Sequence, residues 1–168
     1  CGPASPDCSE HLKTFQNLGW TWRMSDYPER HALGRIDVID LEDLPALSRD
    51  VPLDLPSIQA GWPDFEHAFD SLKGRRMMGL VYGGSHIYRM CSIRLDRDAA
   101  NPLGLDETTI PGGAYLRLRL RGEAPEVYGH IGEAFDVLFG SADHDSSRPQ
   151  IESYRREGEV DCLLPILA

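Results

Sequence analysis

Glu152 and Tyr154 are a pair whose types and spacing could do chemistry. They sit in Gln150-Ile151-Glu152-Ser153-Tyr154, where period-two alternation predicts a strand. On a strand, carboxylate and phenol share one face, and Ile151 and Ser153 point the other way. If that face lines a cleft, the carboxylate costs several kcal/mol (about 3–5 when unpaired) unless it is paired or neutralised. A cationic aromatic ligand would supply the missing charge, and each tyrosine or tryptophan face would add about 0.5–2 kcal/mol of cation–π attraction. With no ligand, burial raises the pKa of the same glutamate, which also suits a general acid or base. The plain alternative is a solvated hairpin residue paired with Arg155 or Arg156.

Trp62, Tyr82 and Tyr88 are further aromatic candidates for the same cleft, each equally able to serve as ordinary packing. Tyr115 starts a strand on whose polar face Arg117, Arg119 and Arg121 alternate with Leu116, Leu118 and Leu120; Tyr128 lies in the first turns of a helix. The arginine stripe reads as a solvated sheet face balanced by acids on neighbouring strands. The six histidines show no zinc-ligand spacing, and Asp143-His144-Asp145 reads as a solvated loop. There is no Gly-x-Ser-x-Gly elbow and no phosphate loop; Gly83-Gly84-Ser85 lacks the lysine and reads as a turn. No metal and no cofactor are expected.

The elements that must position these residues follow from periodicity. Residues 1–30 read as an arm ending in Trp20, Trp22 and Tyr27, and residues 31–41 alternate as a first strand. Residues 42–60, with Pro45, Pro52 and Pro56, read as a long irregular crossing. Trp62-Pro63 opens a helix with the stripe Phe65, Ala68, Phe69 and Leu72, closed by Gly74. A hairpin follows over 77–82 and 87–95, then a polar loop over 96–111. Residues 115–121 form a strand, and Pro125 opens a helix bearing Val127, Ile131, Ala134, Phe135 and Leu138. The last hairpin covers 151–156 and 160–167.

The order strand, helix, strand, strand therefore occurs twice. Ala-Phe-Asp-x-Leu-x-Gly also recurs, at 68–74 and 134–140, and each return strand carries a cysteine, Cys91 and Cys162. One helix over three strands buries too little apolar surface to stand alone, so two such units would share a core and leave a cleft at their junction. The expected fold is α+β: duplicated strand-helix-strand-strand units with an antiparallel sheet, helices on one side and a ligand cleft between repeats. Repeat one spans 31–96 and repeat two 112–168 within a domain of residues 31–168.

The second half, with Ile110-Pro111-Gly112-Gly113-Ala114-Tyr115, Pro149-Gln150-Ile151-Glu152-Ser153-Tyr154 and Glu159-Val160-Asp161-Cys162-Leu163-Leu164-Pro165-Ile166, resembles the GyrI-like family. That family includes effector-binding domains of multidrug-sensing transcription activators and stand-alone gyrase inhibitors. The resemblance implies an aromatic-lined pocket between the repeats, with Glu152 as its buried glutamate, Tyr154 beside it, and Tyr115 preferred to Tyr128 as a further lining residue. The leading expectation is a protein that captures a lipophilic or cationic aromatic compound through Glu152, Tyr154, Trp62, Tyr82, Tyr88 and Tyr115. Two alternatives stay open. One is a hydrolase that opens strained, cyclopropane-bearing genotoxic compounds, with Glu152 as general base and Tyr154 as acid. The other is a gyrase-interacting inhibitor that uses its surface on a protein partner.

Composition bounds these readings. The chain has 168 residues and a formal charge of −10, with 17 basic against 27 acidic side chains. An acidic excess disfavours direct nucleic-acid binding and binding to acidic membranes. The four cysteines form no C-x-x-C and no disulfide framework, and no secretory leader or apolar span is evident, so a cytoplasmic protein is expected.

Overall fold

Each half of the chain lays down a strand, a helix and a hairpin, and the halves join edge to edge. The computed structural model describes residues 29–167, with side chains from Ala32 onward. Apart from its last two residues, the expected arm over 1–30 falls outside the described residues. The strands are β1 (Glu29–His31), β2 (Gly34–Leu41), β3 (Leu44–Pro52), β4 (Met77–Val81), β5 (Ile87–Ile93), β6 (Asp106–Ile110), β7 (Gly113–Arg121), β8 (Gln150–Arg156) and β9 (Glu159–Pro165). The helices are α1 (Leu55–His67) and α2 (Ile131–Phe139), the latter entered through a 3-10 turn over Glu126–His130. One sheet runs β1-β2-β7-β9-β8-β4-β5-β3-β6, with every ladder antiparallel. The α+β class and a strand-helix-strand-strand order occurring twice match the expectation, in the form β3-α1-β4-β5 and β7-α2-β8-β9. The strand that leads the first helix, however, is β3 and not the expected strand over 31–41, which is β2.

The crossing expected over 42–60 is instead β3 followed by the start of α1. The prolines that suggested irregular chain stand where a missing N–H costs least. Pro45 and Pro52 lie at the two ends of β3, and Pro56 lies in the first turn of α1. Asp54 caps that helix, its Oδ1 accepting the Ser57 N–H at 2.8 Å. α1 thus begins seven residues before Trp62, holds Pro63 inside it, and ends at His67. The first Ala-Phe-Asp-x-Leu-x-Gly copy consequently follows its helix, whereas most of the second lies within α2. Phe69 and Phe135 are both buried, but Leu72 is exposed where Leu138 is fully buried. The polar loop expected over 96–111 also holds a strand, the edge strand β6, in which Ile110 alone is buried.

β2 runs into β3 through residues 42–43 yet pairs with β7, while β6 runs into β7 through residues 111–112 yet pairs with β3. Each unit therefore lends its leading strand to the other. A two-residue link spans at most about 11 Å between flanking Cα atoms. Five strands separate β2 from β3 in the sheet order. The sheet must therefore curl until its flanks meet at that corner. There the Gly112 N–H donates to Asp43 Oδ1 at 2.6 Å, and a Cβ on Gly112 would stand 2.5 Å from the Leu41 carbonyl oxygen.

The inner face of the curl holds one apolar cluster drawn from both flanks, including Ala46, Met78, Leu80, Ile110, Tyr115, Ile151 and Leu163, with Ile39 and Leu41 packed on it. Both helices cover the outer face. α2 seats Ala134, Phe135 and Leu138 on Leu116, Leu118, Leu120, Val160 and Cys162. α1 seats Phe65, with Phe69 just beyond it, on Leu47, Tyr88 and Met90. Gly61 brings α1 close, since a Cβ there would reach Val51 at 3.0 Å. The seam between the two helices lies over β8 and β4.

Candidate functional site

Glu152 stands in that seam. The ladders set a row of facing residues across the outer face: Met90, Gly79, Glu152, Cys162 and Leu118. Tyr154, two residues along β8, shares the face, as the alternation predicts. Its hydroxyl turns back and donates to Glu152 Oε1 at 2.7 Å. Tyr88, on β5, reaches across β4 and donates to the same oxygen at 3.1 Å. That reach needs the glycine between them: a Cβ on Gly79 would stand 1.8 Å from the Tyr88 hydroxyl and 2.4 Å from its ring.

Aromatic rings from both halves close over the carboxylate. Trp62, carried by α1, meets Tyr154 edge to face at 5.5 Å between centroids and Tyr88 at 6.2 Å. Tyr128, in the turn ahead of α2, meets Tyr154 from the other side at 5.8 Å, and its hydroxyl accepts the Gly158 N–H. These separations suit edge-to-face packing of aromatic quadrupoles.

The electrostatics are one-sided. Glu152 is half-buried overall, but its carboxyl group is desolvated, and this raises its pKa above the usual carboxylate range despite the opposing hydrogen bonds from Tyr154 and Tyr88. Burial first, and then the neighbouring carboxylate, push both tyrosine hydroxyls upward, so they stay protonated and donate. Burial likewise raises the Cys162 thiol beside Glu152. Among the described residues no lysine, arginine or histidine pairs with Glu152, and no hydrogen bond reaches its Oε2. Other buried or half-buried acids differ: Asp98 pairs with Arg75, Asp161 with Arg119, and Asp37 with Arg117. Arg155 and Arg156, offered as partners for Glu152, turn to Glu159.

The structure thus brings together Glu152, Tyr154, Tyr88 and Trp62 from the sequence candidates. It does not bring Tyr82 or Tyr115 to them. Both pack with the inner-face cluster, on the other side of the sheet. Tyr82 lies near the Arg89 guanidinium, while Tyr115 lies against Arg148 and donates to the Pro111 carbonyl at 2.7 Å. The lining residue that sequence reasoning passed over is Tyr128. Its signal was its position three residues ahead of an amphipathic helix whose apolar face had to meet the sheet. The arginine stripe faces inward with Tyr115, and Arg117 and Arg119 make bidentate pairs with Asp37 and Asp161.

The sequence matches no protein-family model and no curated protein. Solved structures do match. An integron cassette protein from the mobile metagenome of Vibrio cholerae superposes with TM-score 0.62 at 14% identity, covering 79% of this chain and 95% of that one. SAV2435, solved bound to tetraphenylphosphonium, superposes with TM-score 0.56 at 13% identity over 79% and 94%. The EcmrR C-terminal domain superposes with TM-score 0.55 at 10% identity over 77% and 95%. At these identities the likeness is one of fold, and the fold is the GyrI-like one that the second half of the sequence resembles.

Proposed function

We propose that this protein binds a lipophilic aromatic cation at Glu152. The observation that carries the reading is a desolvated carboxylate, ringed by Trp62, Tyr88, Tyr128 and Tyr154, with no basic partner among the described residues. A buried acid without a cation is costly, and a ligand that brings the cation removes that cost. The two hydroxyls fix Oε1 and leave Oε2 to the ligand. The rings touch one another, so a ligand enters by parting Trp62 from Tyr154 and then stacks against faces they now hide. SAV2435 shares the fold and was solved with such a cation, tetraphenylphosphonium, bound.

Tetraphenylphosphonium titrated against intrinsic tryptophan fluorescence tests the proposal. Saturable quenching is expected, with at least about a tenfold loss of affinity, or 1.4 kcal/mol, in Glu152→Gln. Triphenylphosphine oxide, similar in shape but uncharged, should bind weakly to both. Equal affinity of wild type and Glu152→Gln for the cation sinks the reading. Turnover of a strained electrophile that depends on Glu152 would instead favour the hydrolase alternative, in which the free Oε2 positions water.

A further inference from the structure

On the inner face, at the end of the strands away from the Gly112 corner, Arg76, Arg119, Arg121, Arg155 and Arg156 surround a recess of about 370 Å³. They come from three chain segments: Arg76 just before β4, Arg155 and Arg156 at the end of β8, and Arg119 and Arg121 on β7. Two buried acids lie among them, Glu159 and Asp161. Close pairing accounts for two of the five arginines. Arg119 grips Asp161 through two bonds of 2.6 and 2.9 Å, and Arg156 donates to Glu159 at 2.8 Å. The other three hold only loosely. Arg121 lies 3.7 Å from Glu159, Arg155 lies 3.6 Å from Glu159 and 3.7 Å from Asp161, and Arg76 reaches the Ser153 hydroxyl at 3.4 Å. Arg121 and Arg155 are 65% and 43% exposed in their side chains. Among the described residues, five guanidiniums thus face two acids, a surplus of three positive charges in one recess of a molecule of net charge −10.

Neutralising two buried acids needs two cations, so the acids do not explain the surplus. We propose that this recess binds a short, multiply charged phosphoanion, of the di- or triphosphate class. Guanidinium forks match phosphoryl oxygens bidentately, which is why arginine rather than lysine recurs at such sites. A short anion lies wholly within the surplus charge. A nucleic acid would run beyond it, and the net charge of −10 opposes so long a polyanion. Among the described residues no base-stacking aromatic borders the recess, and the guanidiniums that do border it recognise phosphates rather than a nucleobase. The site lies on the sheet face opposite Glu152 and stands independently of the cation-binding reading.

Calorimetric titration of sodium tripolyphosphate into the chain at low salt is the test. One site is expected, weakened by added salt because the surplus charges are exposed. The triple variant Arg76→Gln, Arg121→Gln, Arg155→Gln keeps both close ion pairs. It should lose at least about tenfold in affinity while circular dichroism, thermal midpoint and tetraphenylphosphonium binding stay unchanged. If the triple variant does not fold, Arg121→Gln alone carries the comparison, with a smaller loss expected. Absence of saturable tripolyphosphate binding overturns the proposal. So does equal affinity in the folded variant, or tighter binding of a single-stranded oligonucleotide or a polyglutamate peptide than of tripolyphosphate.

Discussion

Glu152 couples the site to pH in two ways. Its folded pKa is raised by desolvation, so the folded state holds its proton more tightly than the unfolded chain does. The associated stability is fully present below the unfolded glutamate pKa and is lost as pH rises through the folded value. Glu152→Gln keeps an acceptor for Tyr88 and Tyr154 but removes the ionisation. It should raise the thermal midpoint near neutral pH and leave it unchanged in mild acid, measured by differential scanning calorimetry. Binding of a permanent cation shows the opposite sense. Tetraphenylphosphonium favours the ionised carboxylate, so its affinity should climb with pH through the Glu152 titration and then level off, with Glu152→Gln giving a flat profile. Tyr128 extends the same reasoning to the wall: Tyr128→Ala should weaken the cation by about 0.5–2 kcal/mol, while Tyr115→Phe, on the other face of the sheet, should not change its affinity.

Among the elements, β4 has the tightest tolerance. Gly79 leaves a gap through which Tyr88 reaches the carboxylate, and Gly79→Ala would place a methyl inside that ring. A loss of about 1–3 kcal/mol in urea unfolding is expected, as for other overpacked sites, together with a changed Trp62 emission. The connections flanking β4 and β5 are pinned by a second device. Arg75 and Asp98 form a bidentate pair at 2.8 and 2.9 Å with both side chains nearly inaccessible, and the Arg75 guanidinium lies 4.2 Å from the Phe69 ring centre. Hydrogen bonds from Arg75 hold the Asp98 carboxyl down at about 2, so its contribution is present above the ordinary aspartate range and is lost as pH falls through that value. Asp98→Ala leaves a buried guanidinium unpaired and should cost about 3–5 kcal/mol. These elements also show what a sequence makes legible. Strands with alternating apolar residues, such as β7 and β8, declare themselves, and so did Glu152, Tyr154, Tyr88 and Trp62. β3 did not, because prolines at its ends look the same as prolines in a loop. β6 did not, because an edge strand with one buried residue carries no alternation. Which of Tyr115 and Tyr128 borders Glu152 depends on the sheet face, and only the tertiary packing of α2 decides it.

At the scale of the whole molecule, the exchanged leading strands decide what counts as a folding unit. Cutting the chain between Leu103 and Gly104 leaves β2 without β7 in one piece and β6 without β3 in the other. Neither piece should show cooperative thermal unfolding by circular dichroism alone, and mixing them should restore it. Closure of the curl has a consequence in time as well. The pairings that lock the corner join Val38 to Leu116 and Leu47 to Glu107, residues far apart along the chain. Non-local pairing of this kind slows folding, because loop-closure entropy is spent before any contact repays it. During synthesis the first half must wait, with β2 and β3 unpaired on their outer edges, until β6 and β7 emerge. The duplicated architecture therefore makes the second half of the chain the rate-setting partner of the first.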